Sequence, residues 1–143
     1  MLAGFVETWN RADGEGHRDL YWPDAELVDP LGAIVDGRDA ITALQVELWG
    51  SILEGSVIAG RIRSLRVLGP SHLIADLDIE LSGFSDLPAG VPSTNGIVRN
   101  RLKHVMEQRN GIWKILSAQN TALTPESKMR RPPRLDSRRP PAL

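Results

Sequence analysis

The sequence predicts an α+β fold: a curved, mostly antiparallel sheet packed on three helices and forming a cone-shaped pocket. Three observations predict it. Four long stretches, 56–68, 73–83, 96–108 and 112–122, alternate apolar and polar side chains as half-buried strands do. The last two are separated only by Arg109-Asn110-Gly111, and Asn-Gly between strand patterns is the strongest short-range hairpin signal. Ahead of the four strands, residues 2–12 and 37–53 repeat their apolar side chains at helical spacing. Helices first and strands mostly after them is the order of a layered α+β arrangement.

Taken in order, Leu2, Phe5, Val6 and Trp9 give the first helix an apolar stripe, and the turn Asp13-Gly14-Glu15-Gly16 ends it. His17 to Trp22 reads as a short second helix stopped by Pro23. Ala25–Asp29 and Ala33–Val35 read as two short strands around a Pro30-Leu31-Gly32 turn. The third helix, Gly37 to Leu53, carries Ile41, Leu44, Leu48, Trp49 and Ile52 on one side, with Asp39 in its first turn and Gly55 beyond its end. Gly69-Pro70-Ser71 joins the first two long strands. The Pro/Gly/Ser-rich stretch Phe84 to Asn95 separates the two hairpins, at a length that suits a mobile lid.

At 143 residues the chain is long enough for one domain, expected over residues 1–123. That part carries 11 basic and 16 acidic side chains, whereas residues 124–143 carry 6 basic and 2 acidic ones together with five prolines. The latter segment reads as a disordered Pro/Arg-rich tail; with no aromatic among its charges, it does not indicate a nucleic-acid partner. No run of eighteen apolar residues indicates a membrane span, and Met1 leads straight into a helical pattern without a basic leader. The chain has no cysteine, which fits a reducing cytoplasm, and its three histidines lack metal-site spacing, so no metal is expected. No phosphate loop, nucleophile elbow or dinucleotide fingerprint occurs, and no cofactor is expected.

Alternation sorts the strand faces. Leu73, Ala75, Leu77, Ile79 and Leu81 share one face of their strand, and Asn100, Leu102, His104 and Met106 one face of the next. Arg61 and Arg63, Asp76, Asp78 and Glu80, and Arg99, Arg101 and Lys103 are left outside, where opposite charges pair across strands. A curved sheet closed by helices encloses a mostly apolar pocket with a few polar groups. The polar and aromatic candidates for it are Asp29, His104, Asn120, Tyr21 and Trp9; the apolar lining is Phe5, Leu77, Ile79, Met106 and Leu116. Asp29 ends a strand before a stiff turn. That place suits either a turn cap or a carboxylate facing the cavity. His104, one polar residue among apolar neighbours, is either a satisfied core histidine or an acid–base group.

Three stretches resemble one family. Asp24 to Ile41, Phe5 to Trp22 with its Trp9-Asn10…Asp13 pattern, and Asn110 to Thr121 are similar to the SnoaL-like branch of the nuclear transport factor 2-like superfamily, nearest its SgcJ/EcaC-type members. The resemblance covers residues 1–123 and implies the cone-shaped α+β barrel. Asp29-Pro30-Leu31-Gly32 resembles the turn that carries the catalytic base of ketosteroid isomerases, and Tyr21 matches a pocket tyrosine of that group. Phe5 stands where that group has its oxyanion tyrosine, His104 where it has a protonated aspartate, and Asn120 where it has a pocket tryptophan. The base position is thus kept and the oxyanion hole is not.

The expectation that follows is a small cofactor-independent enzyme acting on a hydrophobic, oxygenated small molecule, polyketide- or steroid-like. It uses Asp29 as base and His104 and Asn120 as donors, for isomerisation, cyclisation, dehydration or epoxide opening. The alternatives are a non-catalytic ligand-binding protein of natural-product metabolism and a structural dimerisation module. A homodimer through the outer sheet face is expected, with no nucleic-acid or membrane partner.

Overall fold

The structure is a computed structural model and describes residues 2–124; the tail expected to be disordered lies outside the described residues. The element order is the expected one: α1 (Leu2–Asn10), α2 (Gly14–Arg18), β1 (Tyr21–Val28), β2 (Ile34–Asp36), α3 (Arg38–Trp49), β3 (Val57–Val67), β4 (His72–Ser82), β5 (Val98–Arg109) and β6 (Ile112–Ala122). The six strands form one sheet in the order β2-β1-β6-β5-β4-β3. Every neighbouring pair is antiparallel except β1 with β6.

Local chemistry sets the corners. Asn110 and Gly111 both take positive φ, 52° and 79°, which is the two-residue turn whose twist matches that of the strands it joins. Gly37 holds φ 89° and ψ 144° where the chain leaves β2 for α3, a conformation open to glycine but strained for other residues. α2 has a conventional start: the Asp13 carboxylate accepts from the Gly16 N–H at 2.9 Å.

Three expectations are corrected. Tyr21 and Trp22 begin β1 and are not the end of a helix, which stops at Arg18. Pro23 is tolerated inside the strand because the β1–β6 ladder is irregular between Tyr21 and Glu26, so no ladder hydrogen bond is asked of it. A β-bulge shifts the β5–β6 register between Val105/Met106, where Val105 faces Ser117 and Met106 faces Ile115. Leu116 is therefore the extra residue, and Ile115, expected outside, is buried in its place. The 84–95 loop is pinned: Ser85 bonds the Ile52 carbonyl through both N–H and hydroxyl, while Phe84, Leu87 and Val91 pack on the core.

The inner sheet face buries two apolar clusters. One joins Phe5, Trp49, Leu53 and Ile58 to Ala75, Leu77, Ile79, Leu81, Val98 and Leu102. The other gathers Tyr21, Ala25, Ile41, Met106, Ile115 and Ala118. Outside, the expected charged rows pair within their own sheet: Asp78 meets Arg101 at 2.9 Å and Arg61 at 3.2 Å, and Asp76 meets Lys103 at 2.7 Å.

Two side chains tie α1 to the sheet edge: the Trp9 indole N–H donates to Ser56 Oγ at 3.2 Å, and Asn10 bonds the backbone of Ile58 twice. Asn10 donates to the Ile58 carbonyl (3.1 Å) and accepts from the Ile58 N–H (2.7 Å). Asn10→Ala removes both bonds at a partly solvated place and is expected to cost about 1–2 kcal/mol. Urea denaturation midpoints check this, and an unchanged midpoint would show that α1 docks without the Asn10 bonds.

Candidate active site

A small cavity of about 50 Å³ lies where the two clusters meet, walled by α1, α2, β1, α3, β5 and β6. Phe5 and Trp9 come from α1, His17 from α2, Tyr21 and Leu27 from β1, Ile41, Leu44 and Gln45 from α3, Leu102 and His104 from β5, and Ala118, Gln119 and Asn120 from β6. No Asp, Glu, Lys or Arg is among these lining residues.

What distinguishes the cavity is the state of its polar atoms. Four of them are buried without a hydrogen-bond partner among the described residues: His17 Nδ1, Gln45 Nε2, His104 Nε2 and Asn120 Oδ1. Leaving such an atom unpaired costs roughly 1–3 kcal/mol, so a native chain keeps several together only where something else uses them. The two imidazoles are both packed on the Phe5 ring, at centroid distances of 6.1 Å (His17) and 5.5 Å (His104). His17 also stacks at 5.2 Å on Tyr21 and meets Trp49 edge-on at 5.5 Å.

Electrostatics keeps these groups neutral. Burial lowers the pKa of His17 to about 4. Burial lowers that of His104 to about 4 as well, with the neighbouring His17 charge acting in the same sense. Burial pushes the Tyr21 hydroxyl up, so it stays protonated. Two neutral imidazoles, a phenol and three amides thus offer both hydrogen-bond donors and acceptors, but no fixed charge. Such a set binds a neutral oxygenated group, and each imidazole can accept a proton from it.

The structure brings together His104, Tyr21, Asn120, Trp9 and Phe5 of the expected site. Leu77 and Met106 do not line this cavity but an adjoining groove. Ile79 is core, packed over Gly60. Leu116 is displaced by the bulge described above. Asp29 takes the capping role: its Oδ1 accepts from the N–H groups of Leu31 and Ala33, both at 2.9 Å, and its own N–H bonds the Ala33 carbonyl. It lines neither the cavity nor the groove, so the shared Asp29–His104 chamber is not formed. The turn chemistry that suits an Asp before Pro-Leu-Gly uses the carboxylate that catalysis would need.

Two site residues escaped the sequence reading. Gln45 was recoverable, because it sits four residues after Ile41 and three before Leu48, on the apolar stripe of α3. His17 sits in the last turn of α2, which Asp13 caps, but its place in the cavity comes from contacts with Phe5, Tyr21 and Trp49 on other elements.

No family model matches the chain, and no curated protein matches it. Solved structures do. An uncharacterised protein with a cystatin-like fold from Caulobacter vibrioides superposes with a TM-score of 0.79 at 21% identity, over 90% of this chain and 88% of that one. A ketosteroid isomerase-like protein from Erwinia carotovora atroseptica gives 0.68 at 14% identity, over 87% and 92%. A type 2 hexachlorocyclohexane dehydrochlorinase (LinA) gives 0.70 at 16% identity, over 86% and 80%. At these identities the likeness is one of architecture. This chain shares the α+β fold of these structures, and its candidate site is the small cavity between sheet and helices.

Proposed function

We propose that this protein takes a small, neutral, oxygenated molecule into this small cavity and moves a proton on it. His104 and His17 are the acid–base groups, and Tyr21, Gln45 and Asn120 hold the oxygen. The observation that carries the reading is the set of four unpartnered buried polar atoms on residues that line the cavity, two of them on neutral imidazoles. A neutral imidazole near a substrate α-carbon can take a proton from it and return it elsewhere, which is the elementary step of isomerisation and of elimination. The isomerase-like and dehydrochlorinase relatives in fold support the class of chemistry, not a substrate. The finer expectation of a polyketide- or steroid-like ligand, and the kinship with SgcJ/EcaC-type proteins, belong to this proposal.

A second reading, a binder without turnover, is favoured by the absence of any carboxylate from the lining. One experiment separates the two. Incubated in D₂O with 2-butanone or cyclohexanone, the protein should wash deuterium into the α-positions faster than buffer does. His104→Gln should lower that rate by about 100-fold or more, the usual contribution of a positioned acid–base group. Exchange at the buffer rate, with a ligand-dependent rise in melting temperature, would leave a binding protein.

The homodimer through the outer face remains a proposal too, supported by the absence, among the described residues, of any helix over that face. Light scattering reads it directly: a mass near 16 kDa, for a 15.7 kDa chain, excludes it.

A further inference from the structure

β3 and β2 are the two edges of the sheet, and β3 is the long one, with 11 residues against 3. An edge strand turns the N–H and C=O of every second residue away from the sheet. Ile58 is such a residue: the Asn10 side chain takes both its groups, as an incoming strand would. Leu68 is not, since its N–H donates to the His72 carbonyl across the ladder. Alternation from these two ends leaves Gly60, Ile62, Leu65 and Val67 facing outward. The step from Ile62 to Leu65 crosses a bulge at Arg63. Even so, the two stand opposite Leu77 and Ala75, which are two residues apart, so the outward spacing stays regular. Among the described residues no side chain bonds the backbone of these four.

The same edge is apolar on one face and basic on the other. Ile62, Leu65 and Val67 pair with Leu77, Ala75 and Leu73 on the core side of the sheet, yet they are 43%, 55% and 74% exposed. α1 covers the start of that side, where Asn10 holds Ile58 and Leu2 packs over Gly60. The opposite face carries Arg61, Arg63 and Arg66, and β3 has no acidic residue. Arg61 and Arg63 share Asp78, at 3.2 and 3.5 Å, while Arg66 meets no carboxylate among the described residues. β4 shows what complements such a strand: its residues 75–81 read Ala-Asp-Leu-Asp-Ile-Glu-Leu, apolar and acidic by turns, in register with β3. We propose that the free edge of β3 docks an extended segment of another protein with this same alternation, added antiparallel as β4 is on the other side. A second β3 does not fit, because it would set three arginines against three of the same sign. Residues 124–143 of this chain do not fit either, with six basic and two acidic side chains. The surface is separate from the cavity, which no residue of β3 lines.

Amide hydrogen exchange of the full chain, read residue by residue, tests this with the synthetic peptide Ala-Asp-Leu-Asp-Ile-Glu-Leu as probe. In the free protein the Ile62, Leu65 and Val67 amides should exchange fast, while those of Ala59, Arg61 and Arg66 are protected by the ladder to β4. A saturating amount of the peptide should slow the first three by about tenfold or more. The same peptide with lysine at its three acidic positions should leave them fast. Arg66→Glu, an exposed change that leaves the backbone ladder in place, should weaken the acidic peptide about threefold to tenfold and favour the lysine one. Exchange unchanged by the acidic peptide would overturn the proposal, leaving the arginines and the bulge as devices that keep the edge unpaired. Equal slowing by both peptides would overturn the charge selection on which the partner's chemistry rests. Slowing that grows with protein concentration alone would give the edge to a second copy and overturn it as well.

Discussion

Acidified from pH 7 to pH 4.5, the protein is expected to lose on the order of 5 kcal/mol of stability, about half from each buried histidine. Both imidazoles titrate near 4 in the folded chain against 6.5 when free. Above pH 6.5 both states hold them neutral and nothing is lost. As pH falls below 6.5 the unfolded chain takes up protons that the folded chain refuses, so unfolding is drawn forward until the folded rings titrate near pH 4. The partnered carboxylates act lower on the scale. Hydrogen bonds from Arg109 hold Asp24 and Glu107 below the usual carboxylate range, and one from Lys103 does the same for Asp76. The window between pH 6.5 and 4.5 therefore belongs to the histidines. A loss of this size is a large part of the roughly 5–15 kcal/mol that a domain commands. Urea unfolding at half-unit pH steps measures it, and the His17→Gln/His104→Gln double variant should flatten the curve. Constant stability down to pH 4.5 in the native chain would mean that the rings are not buried and neutral.

Leu77→Ala is expected to cost about 3 kcal/mol, within the 2–5 kcal/mol of buried leucine truncations. Leu77 is 1% exposed, pairs across the sheet with Ile62 and Leu102, and belongs to the larger apolar cluster. Truncation would leave a void between the core and the groove, since β-sheet backbone on both sides cannot close in. Leu77→Met, close in volume, should cost less than about 1.5 kcal/mol. Ile112→Ala, at an exposed turn, should stay within about 0.5 kcal/mol. Denaturant midpoints of the three variants give the comparison. A loss below about 1 kcal/mol at Leu77 would show that the groove, and not the core, is what this side chain faces.

Much of this architecture is written in local patterns. The alternation of Leu73 to Leu81 and of Asn100 to Met106 sorts inside from outside correctly, because a pleated strand has a period of two wherever its ladder is regular. Asn110-Gly111 marks its hairpin because few other pairs accept positive φ twice. The pattern fails where the ladder does. One extra residue at Leu116 turns the alternation over, and nothing in residues 112–122 alone announces a bulge, since it depends on the partner strand. Pro23 misleads for the same reason: read alone it stops a helix, while in the sheet it sits in an irregular stretch of β1.

The site was half legible. His104, Tyr21 and Asn120 stand out as polar groups on otherwise apolar faces. Asp29 was the most conspicuous residue of the sequence, yet its signal, an aspartate before a proline turn, is also the signature of a cap. Only the positions of the Leu31 and Ala33 N–H groups decide between the two. His17 acts through a meeting of α2 with Phe5, Tyr21 and Trp49, contacts among segments up to 32 residues apart that no spacing rule along one helix encodes.

Two neutral imidazoles, each with a ring nitrogen unpartnered among the described residues, line one small cavity. Long-range ¹H–¹⁵N spectra of the histidine rings, followed from pH 7.5 to pH 5.5, where both rings of the folded chain are still neutral, test this. His17 and His104 are expected to keep the nitrogen shifts of a neutral ring throughout, and both to move at pH 7.5 when 2-butanone is added. An imidazolium signal from either ring by pH 6 would contradict it.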